Sequence, residues 1–271
     1  MDNRPIGVFD SGLGGLTAVR ELAALLPHEQ LIYFGDTGRV PYGGRSRDTI
    51  IRYARQDVAF LRGFDLKAIV VACGTVSTTA LPVLQQEQAL PIFGVVEPTA
   101  RQAAAVTRNG KIGLIATRAS IRTGAYQAAI AALRPEAEVS ALACPLFVPL
   151  VENGRTQPGD VVIETVVAEY LAPLKAEGVD TLVLGCTHYP LLKEVIRNFM
   201  GTEVALVDSG AAVARQVCDY LRERDLAAEP AQAGLCRWYV SDSTEGFAPL
   251  ASRFLGRPVT EPVEQVSLEG D

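Results

Sequence analysis

The stretch Thr181-Leu182-Val183-Leu184-Gly185-Cys186-Thr187-His188-Tyr189-Pro190 indicates the fold class of the chain. Its apolar first half predicts a buried strand, and Pro190 suits the first turn of a helix. Continuous apolar runs of this kind are typical of parallel strands, whose carboxyl ends carry the ligand sites of open α/β sheets. The stretch therefore predicts an α/β fold with chemistry at Cys186, where the strand ends.

A second stretch of the same kind lies upstream, at Ala68-Ile69-Val70-Val71-Ala72-Cys73-Gly74-Thr75. Strand and helix patterns alternate along the whole chain, as expected of βαβ units with parallel sheets. Because the two cysteine-ending strands fall in different halves of this alternation, we predict two similar parallel-sheet α/β domains that face each other across a cleft. The predicted first domain comprises residues 1–97 and 210–271, and the second comprises residues 98–209.

The composition is that of an ordinary globular protein. Of the 271 residues, 48% are hydrophobic and 21% are charged. The net charge of -6 argues against nucleic acid or a membrane surface as the main partner. The first residues enter a strand without a charged and then apolar leader, and no apolar run reaches the roughly 18 residues that span a bilayer. We therefore expect a cytoplasmic protein without a signal peptide.

The cysteines and histidines favour neither a disulfide framework nor a metal centre. Five cysteines are an odd number without the close spacing of a zinc site, which favours reduced thiols. Only two histidines, His28 and His188, are present, so we expect no metal. Small core hydrophobes are the prediction for three of the cysteines, namely Cys144, Cys218 and Cys236.

Cys73 and Cys186 differ from the other three because each ends a strand and precedes hydroxyl residues and a helix start. Backbone N–H groups and the helix dipole at such a position favour a thiolate. Two acid/base groups on opposite faces of one carbon can invert its configuration, since one removes a proton while the other delivers one. The residues alone therefore indicate stereoinversion by two thiols, without a cofactor as electron sink.

Three further polar residues are candidates for the same site. Asp10 ends the first strand, and we favour a role in the site over a helix cap, whereas we favour a cap for Asp208 in the similar Asp208-Ser209-Gly210. His188 lies two residues after Cys186, so both side chains can face the cleft. Glu152 falls in a predicted loop from Cys144 to Gly154.

Through these residues the chain resembles the glutamate racemase branch of the cofactor-independent aspartate/glutamate racemase family, over nearly its whole length. The motifs are Phe9-Asp10-Ser11-Gly12-Leu13-Gly14-Gly15, Tyr33-Phe34-Gly35-Asp36-Thr37, Pro41-Tyr42-Gly43, Ala72-Cys73 with Thr75, Gly94-Val95-Val96-Glu97-Pro98, Pro149-Leu150-Val151-Glu152 and Gly185-Cys186-Thr187-His188-Tyr189-Pro190-Leu191.

The resemblance implies interconversion of L- and D-glutamate, which supplies D-glutamate for peptidoglycan synthesis and so for cell wall biogenesis and cell shape. It implies that Cys73 deprotonates D-glutamate and Cys186 deprotonates L-glutamate, with Asp10 supporting the first thiol and His188 with Glu152 supporting the second. Hydroxyls and backbone N–H groups, rather than an exposed cation, are expected to hold the substrate. The implied substrate contacts are Ser11, Pro41, Tyr42, Gly43, Gly74, Thr75, Thr117, Ser120 and Thr187.

The chain departs from the commoner family motif at one position. The motif has asparagine after the first cysteine, where this chain has Gly74. The amide that would contact the substrate is missing, so this position offers only its backbone.

Other functions stay open at this stage. Aspartate racemase, or a hydantoin racemase or decarboxylase of the same group, would use the same thiols on another substrate. A cysteine hydrolase would use Cys186 as nucleophile and His188 as base, with no role for Cys73. A ligand-sensing or partner-binding α/β protein would use neither thiol. The predicted partner is a small-molecule substrate, with a homodimer as the assembly to test and neither nucleic acid nor a membrane.

Overall fold

The computed structural model describes residues 1–268, and these form two β-sheets with helices packed around them. The strands are β1 Ile6–Asp10, β2 Leu31–Gly35, β3 Ala68–Val71, β4 Ile92–Gly94, β5 Lys111–Ala116, β6 Glu138–Ala143, β7 Thr181–Leu184, β8 Ala205–Asp208, β9 Cys236–Val240 and β10 Val263–Gln265.

Twelve α-helices connect the strands within the described residues, and none of them is long and apolar enough to cross a membrane. Short 3₁₀ turns lie at Thr37–Arg39, Tyr42–Gly44 and Tyr189–Leu192. The helices are α1 Leu16–Leu25, α2 Arg47–Leu61, α3 Gly74–Thr79, α4 Leu81–Glu87, α5 Val96–Val106, α6 Arg118–Thr123, α7 Ala125–Leu133, α8 Phe147–Glu152, α9 Val161–Ala176, α10 Lys193–Met200, α11 Ser209–Glu223 and α12 Phe247–Leu255.

Both sheets are parallel throughout, which confirms the predicted fold class. The six-stranded sheet has the order β10-β9-β2-β1-β3-β4, and the four-stranded sheet has the order β6-β5-β7-β8. The domain boundaries between residues 97 and 98 and between residues 209 and 210 stay a prediction. Residues 269–271 of the predicted first domain lie outside the described part of the chain.

The strand order places a crevice at the end of each sheet. The chain passes from β1 to β2 on one side and then returns to β3 on the other side of β1. In the second sheet it passes from β5 to β6 and returns to β7 on the other side of β5. Ligands of open α/β sheets bind at such reversals, outside the carboxyl ends of the strands. Cys73 follows β3 and Cys186 follows β7, so each thiol lies at a reversal point.

A shared core holds the two sheets together. Because side chains alternate along a strand, Ile6 and Val8 of β1 enter this core while Phe9 packs on the opposite face of the sheet. Leu182 and Leu184 of β7 enter the same core from the second sheet. Helices α1 and α11 pack against each other within it. The ends of β1 and β7 are therefore connected through one continuous body of buried apolar side chains.

The stretch from Cys144 to Gly154 is not a loop, as the sequence had suggested, because it contains α8. A helix of six residues is too short for a clear apolar period, and it has Pro149 as its third residue. Proline is tolerated in the first turn of a helix, where its missing N–H would have no helical partner. Glu152 is therefore the last residue of a helix.

Asp208 caps α11, in agreement with the sequence interpretation. Its Oδ1 accepts hydrogen bonds from the backbone N–H groups of Gly210 at 2.8 Å and Ala211 at 3.1 Å. Its Oδ2 accepts a hydrogen bond from Lys193 Nζ at 2.6 Å. The carboxylate thus satisfies two N–H groups that would otherwise lack a helical partner.

We predict that Asp208→Ala lowers the free energy of unfolding by about 1–2 kcal/mol, because it removes the cap as well as the partner of Lys193. Urea denaturation measures the change. Asp208→Asn is the matched control, since the amide keeps an oxygen for the cap and loses only the part-exposed ion pair. Equal stability of the alanine and asparagine variants would show that the cap contributes nothing.

Candidate active site

A cavity of about 450 Å³ opens between the strand ends of the two sheets. This volume is in the range of sites that bind small molecules. Asp10 and Ser120 do not line the cavity, although each contacts a residue that does. The other predicted site residues all line it, namely Ser11, Pro41, Tyr42, Gly43, Cys73, Gly74, Thr75, Thr117, Glu152, Cys186, Thr187 and His188.

Cys73 lies on the wall formed by the first sheet, with 5% of the residue exposed. It directly precedes α3, and its thiol donates a hydrogen bond to Ser11 Oγ at 3.4 Å. Asp10, at the end of the neighbouring β1, accepts a hydrogen bond from the backbone N–H of Gly12 at 2.9 Å. Burial, and next the charge of Asp10, raise the pKa of Cys73 to about 12. The thiol therefore keeps its proton at neutral pH in the free protein, and the expectation of a thiolate at Cys73 was wrong because burial outweighs the backbone donors.

Cys186 lies on the opposite wall, with 7% of the residue exposed, and has a histidine as its neighbour. Its Sγ is 4.0 Å from Nδ1 of His188, whose Nε2 is 3.0 Å from Oε1 of Glu152. Burial lowers the pKa of His188, but the contacts with Cys186 and Glu152 outweigh it and raise the pKa to about 10. His188 is therefore an imidazolium at neutral pH.

Thr187 connects the surroundings of the two thiols. Its hydroxyl donates to Asp10 Oδ1 over a long 3.5 Å and lies 3.4 Å from His188 Nδ1. Its backbone oxygen accepts a hydrogen bond from Thr17 Oγ1 at 3.0 Å, which attaches this segment to α1. A Cβ atom on Gly14 would lie only 2.2 Å from Thr187 Oγ1, so the close approach requires glycine there.

A row of hydroxyl groups crosses the cleft at the edge of the cavity. Thr75 lies after β3 of the first sheet, and Thr117 lies directly after β5 of the second. Their Oγ1 atoms are 3.0 Å apart. Thr117 Oγ1 is also 3.1 Å from Ser120 Oγ and accepts a hydrogen bond from the Ser120 backbone N–H at 3.3 Å. Ser120 therefore supports Thr117 from behind and does not face the cavity itself.

A buried carboxylate pair anchors the loop that contains Pro41, Tyr42 and Gly43. The phenol of Tyr42 donates a short hydrogen bond to Asp36 and lies 3.3 Å from Asp57 Oδ2. Arg39 bonds to Asp36 at 2.6 Å and to Asp57 at 2.9 Å. Burial, and next the charge of Asp36, hold the pKa of Asp57 well above its usual range. One arginine and one phenol thus hold two buried carboxyl groups together.

Cys144 and Arg118 are among the residues of the cavity wall that sequence reasoning did not assign to the site. Cys144 was predicted to be a core hydrophobe, and it is fully buried, but it also lines the cavity. Its backbone oxygen accepts a hydrogen bond from the phenol of Tyr189 at 3.0 Å. Arg118 lines the cavity as well, as an exposed residue, where only neutral donors had been expected. The available signal was its place directly after Thr117, at the end of a strand.

Comparison with known proteins gives the family. Residues 16–217 match the sequence model of the Asp/Glu/Hydantoin racemase family. A glutamate racemase of Geobacter metallireducens is 50% identical over 268 residues, which cover 99% of this chain and 98% of that relative. The chain belongs to the Asp/Glu/Hydantoin racemase family. The resemblance inferred from the sequence motifs is thereby confirmed.

Two solved glutamate racemases have the same fold over nearly the whole length of this chain. The crystal structure of a glutamate racemase isoform from Bacillus anthracis superposes with a TM-score of 0.93 at 36% identity, covering 99% of both chains. The glutamate racemase of Francisella tularensis, solved in complex with D-glutamate, superposes with a TM-score of 0.90 at 37% identity, also covering 99% of both chains. Both racemases thus share the two-sheet architecture of this chain.

We predict that His188 titrates near pH 10 and not near the ordinary histidine pKa of about 6.5. Because the folded pKa is the higher one, the stability from this proton is full below about pH 6.5 and is lost as the pH rises through 10. NMR titration of the imidazole measures it, and His28→Gln leaves a single imidazole to follow.

Glu152→Gln tests the cause of this shift, because it removes the negative charge beside Nε2 while keeping a side chain of similar shape. The His188 midpoint should then move to lower pH. A His188 midpoint near 6.5 in the protein with Glu152 intact would contradict the assignment of an imidazolium.

Proposed function

We propose that the chain is a glutamate racemase, which interconverts L- and D-glutamate by a cofactor-independent mechanism with two cysteines. One observation carries the proposal: two buried thiols, Cys73 and Cys186, reach the same small cavity from different sheets. The glutamate racemases that match this chain over almost its full length support glutamate as the substrate.

In the direction from L- to D-glutamate, the Cys186 thiolate removes the proton from Cα. The Cys73 thiol delivers its own proton to the opposite face of the same carbon. The turnover ends with Cys186 protonated and Cys73 ionised, so protons and charge balance. The reverse direction uses the same two transfers with the roles exchanged.

The charges around each thiol fit this first direction. Cys73 holds its proton in the free protein because it is buried and lies near Asp10. The imidazolium of His188, kept in place by Glu152, lies beside Cys186 and favours a negative charge on that sulfur. His188 and Asp10 thus act in this proposal as supports that give the two thiols different electrostatic surroundings.

The cavity wall offers suitable groups for an anionic amino acid. Ser11, Thr75, Thr117 and Thr187 bring hydroxyls, each of which can both donate and accept a hydrogen bond. Arg118 adds one exposed cation on the wall. Neutral donors near the thiols hold the carboxylates without adding a cation other than His188 beside the reacting sulfurs.

The D-glutamate so formed supplies peptidoglycan synthesis, and through it cell wall biogenesis and cell shape, as the family membership supports. We further propose a cytoplasmic location, where the thiols stay reduced. Assembly as a homodimer stays a prediction, which analytical ultracentrifugation tests directly.

Two other activities make different demands on the same site. A hydrolase would use Cys186 alone as nucleophile and would leave Cys73, which reaches the same cavity, without a role. An aspartate racemase would use the same two thiols, so substrate assays decide between aspartate and glutamate.

We predict that the protein racemises glutamate in D₂O with incorporation of one solvent deuterium at Cα. NMR of the product and chiral chromatography measure the exchange and the inversion in both directions. L- and D-aspartate, run in parallel, should turn over far more slowly. Release of ammonia without exchange at Cα would contradict the proposal.

Cys73→Ser and Cys186→Ser should each abolish racemisation, because a serine hydroxyl is far less acidic than a thiol. One-sided exchange at Cα can persist where the remaining thiol still reaches its face of the carbon. Cys236→Ser is the matched control, since this cysteine lies in β9 and outside the cavity wall. Racemisation at the unmodified rate by either active-site variant would refute the two-thiol assignment.

A further inference from the structure

Gly74, which replaces the asparagine of the commoner family motif, lies against the backbone of the other sheet. A Cβ atom built on Gly74 would be 2.6 Å from the carbonyl oxygen of Gly185. This is shorter than real Cβ contacts, and the atom it meets belongs to the backbone, so no side-chain rotation can relieve it. The place where the amide side chain would begin is therefore occupied by Gly185.

Gly185 cannot easily move away from such a side chain. Its N–H donates a hydrogen bond to the backbone oxygen of Ile115 at 2.8 Å. A Cβ atom on Gly185 would itself lie 3.0 Å from that oxygen and 3.1 Å from Ala116 Cβ. The residue is thus pressed against the end of β5, and a movement away from Gly74 would disturb the second sheet.

The two glycines are the direct neighbours of the two thiol residues. Gly74 follows Cys73, and Gly185 precedes Cys186. The contact between them therefore lies one residue away from both sulfur atoms, on segments that belong to different sheets. Any change in the distance between these segments is passed to the separation of the sulfurs.

We propose that Gly74 is a positioning residue, whose missing side chain lets the Cys73 segment rest on the Gly185 carbonyl and so sets the separation of the two thiols. The proposal rests on the proposed racemase function. A side chain at position 74 has to push the segments apart by several tenths of an ångström. Proton transfer between fixed groups is sensitive to such displacements, since a misplacement of about 1 Å can cost 100-fold in rate.

The simpler view is that Gly74 has merely lost a substrate contact. The two views make opposite predictions for Gly74→Asn. If a contact is missing, the restored amide lowers KM and preserves kcat. If the glycine sets the separation, the asparagine variant loses kcat, and Gly74→Ala loses it too, although alanine brings no polar group.

We expect kcat of both variants to fall about 10-fold to 100-fold, with a smaller change in KM. The two enantiomers have equal free energies, so kcat/KM must fall equally in both directions, which is an internal check on the data. A lower KM for Gly74→Asn with an unchanged kcat, or an unchanged kcat for Gly74→Ala, would overturn the proposal.

Tyr126→Phe is a control that tests which group obstructs a side chain at position 74. The Tyr126 hydroxyl is the nearest side-chain atom to the added Cβ, at 3.8 Å. Placed in the Gly74→Asn background, Tyr126→Phe should restore none of the lost kcat, because the obstruction is the Gly185 carbonyl. Full recovery of kcat would assign the effect to the phenol and refute the contact with Gly185.

Crystal structures of the unmodified protein and of Gly74→Ala separate this proposal from the proposed function. They should show the Cys73–Cys186 sulfur distance increased in the variant, whether or not the protein racemises glutamate. An unchanged distance would overturn the positioning role, while absence of racemisation in the unmodified protein would overturn the function alone. Thermal unfolding of both proteins shows that the variant is folded.

Discussion

Contact between two backbones, at Gly74 and Gly185, brings the thiol-bearing ends of two separate sheets together. Chemistry with two opposed bases requires their separation to be fixed, because each must reach the same carbon. The shared core around α1 and α11 packs the two sheets together. The hydrogen bond from Thr17 to the Thr187 backbone fixes the segment that follows β7. The glycines then let the last part of each segment approach without side chains between them.

The charges around the two thiols are unequal, although the reaction that they are proposed to catalyse is symmetric. Cys73 has a buried carboxyl group near it, and Cys186 has an imidazolium. One turnover from L- to D-glutamate leaves Cys73, the thiol near the Asp10 carboxyl group, as the thiolate. This is the less favourable arrangement in the free protein. Protons must then move between the two sides before the next turn in the same direction, and Thr187, which contacts both Asp10 and His188, lies between them.

Much of the fold and part of the site follow from local sequence. Apolar runs that end in cysteine predict the parallel strands, and the Asp208 cap follows from an Asp-Ser-Gly pattern at a strand end. The rest depends on contacts between distant segments. Asp57 carries no motif and gains its role only because α2 brings it to Asp36, and the constraint on Gly74 exists only because Gly185 faces it. Helix α8 was not predicted because six residues are too few to show the spacing of apolar residues typical of a helix.

The row of hydroxyls from Thr75 to Thr117 has a consequence for handedness. A rigid donor such as a guanidinium group fits one arrangement of carboxylate and amine. Two mirror-image ligands present two different arrangements of these groups. A hydroxyl proton rotates about its C–O bond, and the oxygen can accept as well as donate. A wall of such groups can hydrogen-bond both mirror images of one amino acid without moving the backbone. In the proposed racemase, tolerance of both hands thus comes from the wall and not from the thiols.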